Sequence, residues 1–344
     1  MPGSEPVQRG RLTAHPLFYP FAESPSSMPS ESHPRPGSSP AVHQPVMLRE
    51  VLRGLDLEPG LVVVDGTVGA GGHSQHVLPR IAPGGKLIGT DRDPMMLEHA
   101  RATLEGVKSD SDFELCQGSY ALLPEFLERL SLDHVDRVLL DLGLSSDQLA
   151  DENRGFSFNA TGPLDLRFDP TAGKPASEWL NEWTEEELID ILETWGEEKF
   201  SRPIARELIT ARNRRPIETA DQLVDIVLAA VPGKVTRDAR KHPATRVFQA
   251  LRIAVNEELR QLEIMLNEVL PRFLCTDGLA VIITFHSLED RMVKNAFRDS
   301  EIWTNLTSKP IEPTTVEQKV NPRSRSAKIR IGRRNAAIET GLET

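Results

Sequence analysis

Cysteine is almost absent from this chain, with only two among its 344 residues. Cys116 and Cys275 each lie in an apolar, strand-like stretch. Two reduced, buried thiols are therefore favoured over a disulfide or a metal site, and we expect no bound metal.

Long apolar runs are also missing from the sequence. No stretch is long enough to cross a bilayer, and no hydrophobic signal-peptide region precedes the fold. These absences predict a cytoplasmic protein without a membrane partner. The sequence leaves the oligomeric state open, with a homodimer as one option.

An excess of positive charge is missing as well, since the formal net charge is −11. This balance excludes a protein coated all over with basic residues, but it allows local basic clusters. Basic residues concentrate in three stretches, at 202–215, 234–252 and 323–334. One such stretch alone would indicate a solvated helix or strand face. Three in an acidic protein favour a polyanionic substrate.

Hydrophobic periodicity is absent from residues 1–40, which are rich in proline, serine and glycine. This composition predicts a disordered N-terminal extension. A transit peptide and a start site placed too far upstream, with Met28 as the true start, are the two explanations left open.

The stretch 61–73 carries the first functional signal. Four apolar residues run into Asp65, and a glycine-rich turn and a helix-like segment follow. Such a run predicts a strand buried on both faces, as in a parallel sheet. Glycine lets a backbone approach a ligand, and a helix N-terminus offers free N–H groups. The stretch therefore predicts a nucleotide-type ligand site.

Further strands are predicted near 86–91, 113–116, 135–141 and 279–285, and helical patterns separate the first of them. Alternating strands and helices indicate a doubly wound, Rossmann-like α/β sheet. Asp65, Asp91 and Asp141 each end a strand, so all three are expected at the carboxyl edge where such sheets bind ligands. A last strand at 327–331 is expected to close the sheet.

More than 130 residues separate the fourth predicted strand from the fifth, which is far more than one crossover needs. We therefore predict an inserted helical subdomain at 147–240, with capping boxes at Thr184 and Thr219. The sheet domain would comprise 41–146 and 241–334, and 335–344 would form a tail. One long helix from Pro243 to Leu270 is expected to return the chain to the sheet.

The glycine turn alone does not distinguish a dinucleotide from S-adenosylmethionine. Asp65 stands directly before the glycines, where its charge would repel a pyrophosphate but suit a cationic methionine group. The glycines also depart from the G-x-G-x-x-G spacing of dinucleotide sites. Both details favour the methyl donor, although Asp65 as a simple loop cap remains an alternative.

Seven motifs then follow one another in a fixed order. They are DGTVGAGGHS (65–74), DRDP (91–94), LDLGLSS (140–146), RGFSF (154–158), GPLDLR (162–167), KHPATR (241–246) and FHSLEDR (285–291). Together they resemble the bacterial 16S rRNA cytosine-N4 methyltransferase family, the MraW/RsmH type. The resemblance spans about 43–334 and implies a class I methyltransferase fold.

The resemblance also implies a donor site for S-adenosyl-L-methionine. Asp91 would meet the ribose hydroxyls and Tyr120 the adenine, where the family often has phenylalanine. The implied donor-site residues are Gly71, Gly72, His73, Asp91, Tyr120, Asp141 and Gln148. Asp141 is also the candidate catalytic residue, because an acceptor near a cytidine amino group would stabilise the charge that develops there. His73 as a helix-start residue and Tyr120 as a core residue are the alternatives.

The implied substrate is a cytidine in the decoding region of small-subunit ribosomal RNA, either free or in the 30S particle. We predict an RNA channel between sheet and insert, lined by Arg154, Arg167, Lys241, His242, Arg246, Arg252 and His286. Ion pairs between insert and sheet are the alternative for Arg154 and Arg167, and a buried strand-end side chain is the alternative for His286. An NAD-dependent oxidoreductase and a non-catalytic RNA-binding assembly factor are the competing functions.

Overall fold

Residues 45–233 and 242–336 are described by the structure, which is a computed structural model. The predicted N-terminal extension lies outside the described residues, as does most of the predicted tail. Within the described residues, no helix has both the length and the apolar character needed to span a membrane. Both cysteines are free, with Cys116 buried and Cys275 half-buried.

Seven strands of the described chain form one mixed sheet in the order β3-β2-β1-β4-β5-β7-β6. The strands are β1 (Val62–Asp65), β2 (Lys86–Asp91), β3 (Asp112–Gln117), β4 (Val135–Asp141), β5 (Leu274–Thr284), β6 (Trp303–Asn305) and β7 (Lys328–Arg334). The first five are parallel, whereas β7 runs antiparallel to β5 and β6. The predicted α/β class is confirmed. The expectation that 327–331 would close the sheet was wrong, because the short β6 forms the edge outside β7.

Helices flank the sheet and fill the insert. They are α1 (Leu48–Leu55), α2 (Ser74–Val77), α3 (Pro94–Glu105), α4 (Leu123–Arg129), α5 (Ser146–Ala150), α6 (Ala176–Glu182), α7 (Glu185–Thr194), α8 (Ser201–Arg212), α9 (Ala220–Ala230), α10 (Ala244–Asn256), α11 (Glu258–Ile264), α12 (Leu270–Phe273), α13 (Ser287–Ala296) and α14 (Thr315–Val320). The capping box predicted at Thr184 is present, with Glu187 as its partner.

Consecutive strand residues supply the two sheet cores. Val63 packs with α1 and α2 on one face, whereas Val64 packs with α4 and the 262–270 region on the other. This alternation explains the unbroken apolar runs, because both faces of each central strand are covered. A third core joins the helices of the insert and extends into α10. The division into sheet domain and insert stays a prediction, and α10 packs with the insert helices.

The prediction of a single long helix over 243–270 was wrong, because the helix is interrupted at Glu257. Its φ of 50° lies in the left-handed region. The side chain of Asn256, just before the break, accepts from Phe168 N at 2.7 Å and donates to Leu166 O at 2.7 Å. The Asn256 carbonyl accepts from Arg92 Nη1 at 2.6 Å instead of from the next helical turn. Tertiary partners therefore replace helical hydrogen bonds at this point.

Strain at Glu257 generates a stability prediction. The side chain is exposed, and a left-handed conformation costs a non-glycine residue about 1–2 kcal/mol. Glycine also has more entropy in the unfolded chain, which offsets part of the strain relief. Glu257→Gly should therefore raise the free energy of unfolding by about 0.5–1 kcal/mol. Glu257→Val should lower it, since β-branched residues tolerate this conformation least. Urea unfolding measures both, and equal stabilities of the two variants would contradict the assignment of strain.

Candidate active site

A deep cleft opens at the carboxyl edge of the sheet and encloses about 1290 Å³, including its open mouth. The glycine loop after β1 and the ends of β2, β3, β4 and β5 line it. The first turn of α11 and the side chains of Phe168 and Arg323 complete the wall. Of the predicted donor-site residues, those that line this cleft are Gly72, His73, Asp91, Tyr120, Asp141 and Gln148.

Strand register decides which of the strand-end acids reaches the cleft. Asp65 pairs in register with Gly89 and Leu139, so Asp91 and Asp141 lie two residues farther along their strands. Asp91 and Asp141 line the cleft, and Asp65 is not among its lining residues. The register therefore places Asp65 two residues short of the ligand-binding edge of the sheet.

The side chain of Asp65 is bonded within its own loop. It is 2% exposed and accepts from Ser74 Oγ at 2.7 Å and from Thr67 N at 3.3 Å. Burial raises the pKa of this carboxyl, against the effect of the Ser74 hydrogen bond and of nearby His73. The interpretation that Asp65 faces a cationic ligand was wrong, and the loop-cap alternative describes it.

Gly71 also serves the turn more than the cleft surface. Its φ of +83° is left-handed, and an added Cβ would lie 3.3 Å from the Thr103 side chain. The Gly71 carbonyl accepts from Gln75 N at 2.9 Å, at the start of α2. Gly71 therefore bends the loop so that Gly72 and His73 reach the cleft.

His73 and Asp141 face each other across the cleft floor. His73 Nε2 lies 3.4 Å from Asp141 Oδ2, and the His73 side chain is 6% exposed. Within the described residues, His73 Nδ1 and Asp141 Oδ1 have no hydrogen-bond partner, and His73 Nε2 has none beyond its 3.4 Å contact with Asp141. The Asp141 backbone N–H donates to Thr67 Oγ1 at 2.6 Å, which fixes the end of β4 to the glycine loop. Buried polar atoms without partners are costly, so this arrangement fits a polar ligand that supplies them.

Asp91 holds the glycine loop from the neighbouring strand. Its Oδ2 accepts from Gly69 N at 3.0 Å and its Oδ1 accepts from Asp93 N at 2.9 Å. Burial raises the pKa of Asp91 to about 6, with smaller contributions from the carboxylates of Asp93 and Asp65. The two backbone hydrogen bonds oppose this shift without cancelling it.

Tyr120 and Gln148 form the wall near the end of β3. Burial raises the pKa of the Tyr120 phenol, and the carboxylates of Glu258 and Glu289 add to the shift. Gln148 Nε2 donates to Asp93 Oδ2 at 3.0 Å, and its Oε1 accepts from Ser145 N at 3.0 Å. Tyr120 therefore offers a ring and a neutral hydroxyl, whereas the amide of Gln148 already serves the protein.

Arg154 lies in the protein interior and not on an open channel. Its side chain is 7% exposed and forms an ion pair with Asp93 at 2.7 Å. It also donates to the carbonyls of Arg167 and Phe168 at 2.8 and 2.9 Å. Arg167 pairs with both oxygens of Asp165, at 2.7 Å each. The ion-pair alternative describes Arg154, because Asp93 belongs to the predicted sheet domain. The pair of Arg167 with Asp165 lies within the predicted insert and does not join it to the sheet.

The other predicted RNA residues differ in how accessible they are. Arg252 is bonded to both oxygens of Glu258, and His286 lies 3.0 Å from Glu289, with its side chain only 9% exposed. His242 stacks on Phe158 with ring centroids 4.7 Å apart. Lys241 lies outside the described residues. Arg246 remains exposed, with one hydrogen bond to the Glu197 carbonyl at 3.2 Å.

Sequence reasoning missed many of the side chains that line the cleft, among them Glu258, Phe285, Glu289 and Arg323. Phe285 and Glu289 lie in the FHSLEDR motif, and Arg323 begins the third basic stretch. These signals were visible, but their place beside the β4 edge depends on tertiary structure. Glu258 carried no signal, since it follows the unpredicted helix break.

Comparison with known proteins gives a consistent result. The family model described as the MraW methylase family matches residues 40–335. A Rhodopirellula baltica protein named Ribosomal RNA small subunit methyltransferase H is 44% identical over 308 residues, which cover 87% of this chain and 94% of the relative. A Methylococcus capsulatus protein of the same name is 43% identical, covering 85% of this chain and 100% of the relative. A third, from Cutibacterium acnes, is 45% identical over 84% and 86%.

The buried Arg154–Asp93 pair generates a second stability prediction. Arg154→Ala leaves the Asp93 charge uncompensated and should lower the free energy of unfolding by about 3–5 kcal/mol. Arg246→Ala, the matched exposed arginine, should change it by less than about 0.5 kcal/mol. Urea denaturation compares the two. Equal, small losses would show that Arg154 is not a structural ion pair and would return it to the RNA-binding set.

Proposed function

The chain belongs to the MraW methylase family, and we propose that it transfers a methyl group from S-adenosylmethionine to the N4 amino group of a cytidine in the decoding region of small-subunit ribosomal RNA. The reaction class and the ribosomal RNA substrate are supported by the named relatives at 43–45% identity. The choice of N4 and of the decoding region rests on the seven-motif resemblance. Family membership also argues against the oxidoreductase alternative.

One structural observation carries the assignment of the site. Apart from their own 3.4 Å contact, His73 and Asp141 present buried polar atoms that have no hydrogen-bond partner among the described residues, where the glycine loop meets the end of β4. The carboxyl edge of a doubly wound sheet is where such folds bind nucleotide-like ligands. The cleft therefore supplies both the backbone cradle and the unsatisfied polar groups that a nucleoside donor requires.

The cleft residues fit S-adenosylmethionine. Asp91 can accept hydrogen bonds from ribose hydroxyls, because its oxygens keep free lone pairs beyond the two backbone bonds. Tyr120 can pack against the adenine, and Gly72 and His73 can hold the methionine end. When bound, S-adenosylmethionine supplies a methyl group activated by a sulfonium charge.

Asp141 is the side chain placed to act on the acceptor. The N4 amino group of cytidine is a weak nucleophile, since its lone pair is delocalised into the ring. A carboxylate that accepts one amino hydrogen localises that lone pair and stabilises the positive charge developing on nitrogen. Rigid placement adds to this effect, and the Thr67–Asp141 hydrogen bond fixes the strand end. The base must leave its stack to reach the cleft, which is easiest in a loop or single strand.

The approach of RNA requires exposed cations outside the cleft. Arg246 is one such residue, and His242, whose ring stacks on Phe158, lies four residues before it in the sequence. Free ribosomal RNA and the assembled 30S particle are both candidate partners. We propose a cytoplasmic location because that is where this substrate occurs.

Product mapping tests the proposed function. The protein is incubated with methyl-labelled donor and either small-subunit RNA or 30S particles lacking the modification, and the RNA is digested to nucleosides. We expect label in N4-methylcytidine with wild-type protein and at least about a hundredfold less with Asp141→Ala. Label confined to C5 of a pyrimidine or to a ribose oxygen would overturn the N4 assignment.

The raised pKa of Asp91 generates a pH prediction for donor binding. A carboxyl with a pKa of about 6 loses its charge as the pH falls below 6. If the ionised form holds the ribose, affinity for S-adenosylhomocysteine should be constant above pH 7 and fall by up to about tenfold per unit below pH 6. Calorimetry between pH 5 and 8 measures this dependence. Asp91→Asn, the control, should bind more weakly but lose the pH dependence near 6, and an unchanged profile in this variant would assign the titration to another group.

A further inference from the structure

A segment near the C-terminus leaves the sheet and reaches the cleft, where its Arg323 is one of the lining residues. It runs from 312 to 327 and is named here the C-terminal strap. At its base Ile311 and Ile329 exchange two backbone hydrogen bonds, of 3.0 and 2.9 Å. The strap contains α14 and the 3₁₀ helix Pro322–Ser326. The two ends of the strap therefore lie side by side at the sheet.

Two side chains of the strap bond to segments beside the cleft. Glu317 Oε1 accepts from Met47 N at 3.1 Å, beside the N-terminal wall formed by Pro45 and Val46. Arg323 donates from Nη1 to Ser146 Oγ and from Nη2 to the Leu144 carbonyl. Both of these partners belong to the loop that follows Asp141.

That loop, 142–146, needs support from elsewhere in the fold. Gly143 has a φ of +108° and lies 3.5 Å from the Phe285 ring, measured from the position of an added Cβ. The Leu142 N–H donates to Ile283 O at 3.1 Å, which continues the β4–β5 pairing. Arg323 supplies two hydrogen bonds between this pairing and the start of α5. It therefore fixes the segment that directly extends Asp141.

Arg323 also brings charge to the acceptor side of the cleft. Its side chain lines the cleft, and the carboxylates of Asp141 and Asp147 lie close enough to interact with it. Burial nevertheless lowers the pKa of the Arg323 guanidinium, which agrees with a position inside the wall and not on the outer surface.

We propose that Arg323 is a positioning residue for methyl transfer, which holds the 142–146 loop and thereby the Asp141 carboxylate in the geometry that the acceptor base requires. The inference rests on the proposed function. It extends that function to a residue 182 positions beyond Asp141 in the sequence. It differs from a simple phosphate contact, because Arg323 acts through protein groups.

Arg325 provides the matched control. It lies on the same strap two residues later and is exposed. A phosphate-contacting arginine affects the apparent affinity for RNA and its salt dependence, whereas a residue that positions catalytic groups affects kcat. Arg325 therefore serves as the control for the loss of one strap cation, and the salt slope of RNA binding in Arg323→Met shows whether Arg323 itself contacts phosphate.

Steady-state kinetics with small-subunit RNA tests the proposal. Arg323→Met should lower kcat by about a hundredfold, the scale of a small displacement of reacting groups, with KM for RNA and the Kd for S-adenosylhomocysteine within about threefold of wild type. Arg323→Lys can still reach one of the two acceptors and should recover most of the loss. Arg325→Met removes an exposed cation of the same strap and should leave kcat unchanged. If Arg323→Met resembles Arg325→Met, or if it loses donor affinity and thermal stability along with kcat, the proposal is overturned.

Hydrogen exchange tests the same inference without methyl transfer. In Arg323→Met, amides of 142–146 should exchange faster, while those of the glycine loop at 66–73 should keep their wild-type rates. Unchanged exchange in 142–146 would overturn the positioning role whether or not the protein is active. If Arg323→Met and wild type differ in exchange as expected but wild-type protein methylates no RNA, the proposed function alone is overturned.

Discussion

A buried carboxylate at Asp93 is the constraint on which the rest of the site depends. Its side chain is fully buried and caps α3 by accepting from Met95 N at 3.1 Å. A charge in this position is unfavourable unless partners compensate it, and here Arg154 and Gln148 do so. One partner comes from α5 and the other from the loop that begins the insert. The sheet, the loop after β4 and the insert therefore meet at a single charge.

The compensation of that charge has consequences inside the cleft. Arg154 also binds the carbonyls of Arg167 and Phe168, and Phe168 N donates to the Asn256 side chain. These contacts place the Phe168 ring in the cleft wall, so the insert contributes directly to the ligand site. The helix break after Asn256 turns Glu258 into the same wall. Residues of the predicted insert thus line the cleft.

Local sequence patterns predicted what depends on local chemistry. The apolar runs ending in Asp91 and Asp141 predicted two cleft residues, since the end of a parallel strand fixes its place at the sheet edge. The same logic failed for Asp65, because register sets it two residues below its neighbours. It failed for the helix over 243–270, because the break is made by partners at 92, 166 and 168 that no local pattern reveals. Arg154 was likewise ambiguous until its distant partner at Asp93 was known.

Charge inside the cleft explains how an acidic site can serve a polyanionic substrate. Five carboxylates line it, from Asp91, Asp141, Asp147, Glu258 and Glu289, against the guanidinium groups of Arg92 and Arg323. Carboxylates near a ligand attract a sulfonium cation and repel a pyrophosphate. These cleft carboxylates, and not Asp65, therefore favour a cationic donor over a dinucleotide. The attraction also favours the charged donor over its neutral product, which assists exchange after transfer. On the proposed function, RNA phosphates remain outside the cleft, where Arg246 is exposed, and only the unstacked base enters. In the proposed positioning role, Arg323 acts through its bonds to the loop after Asp141 and therefore on the acceptor.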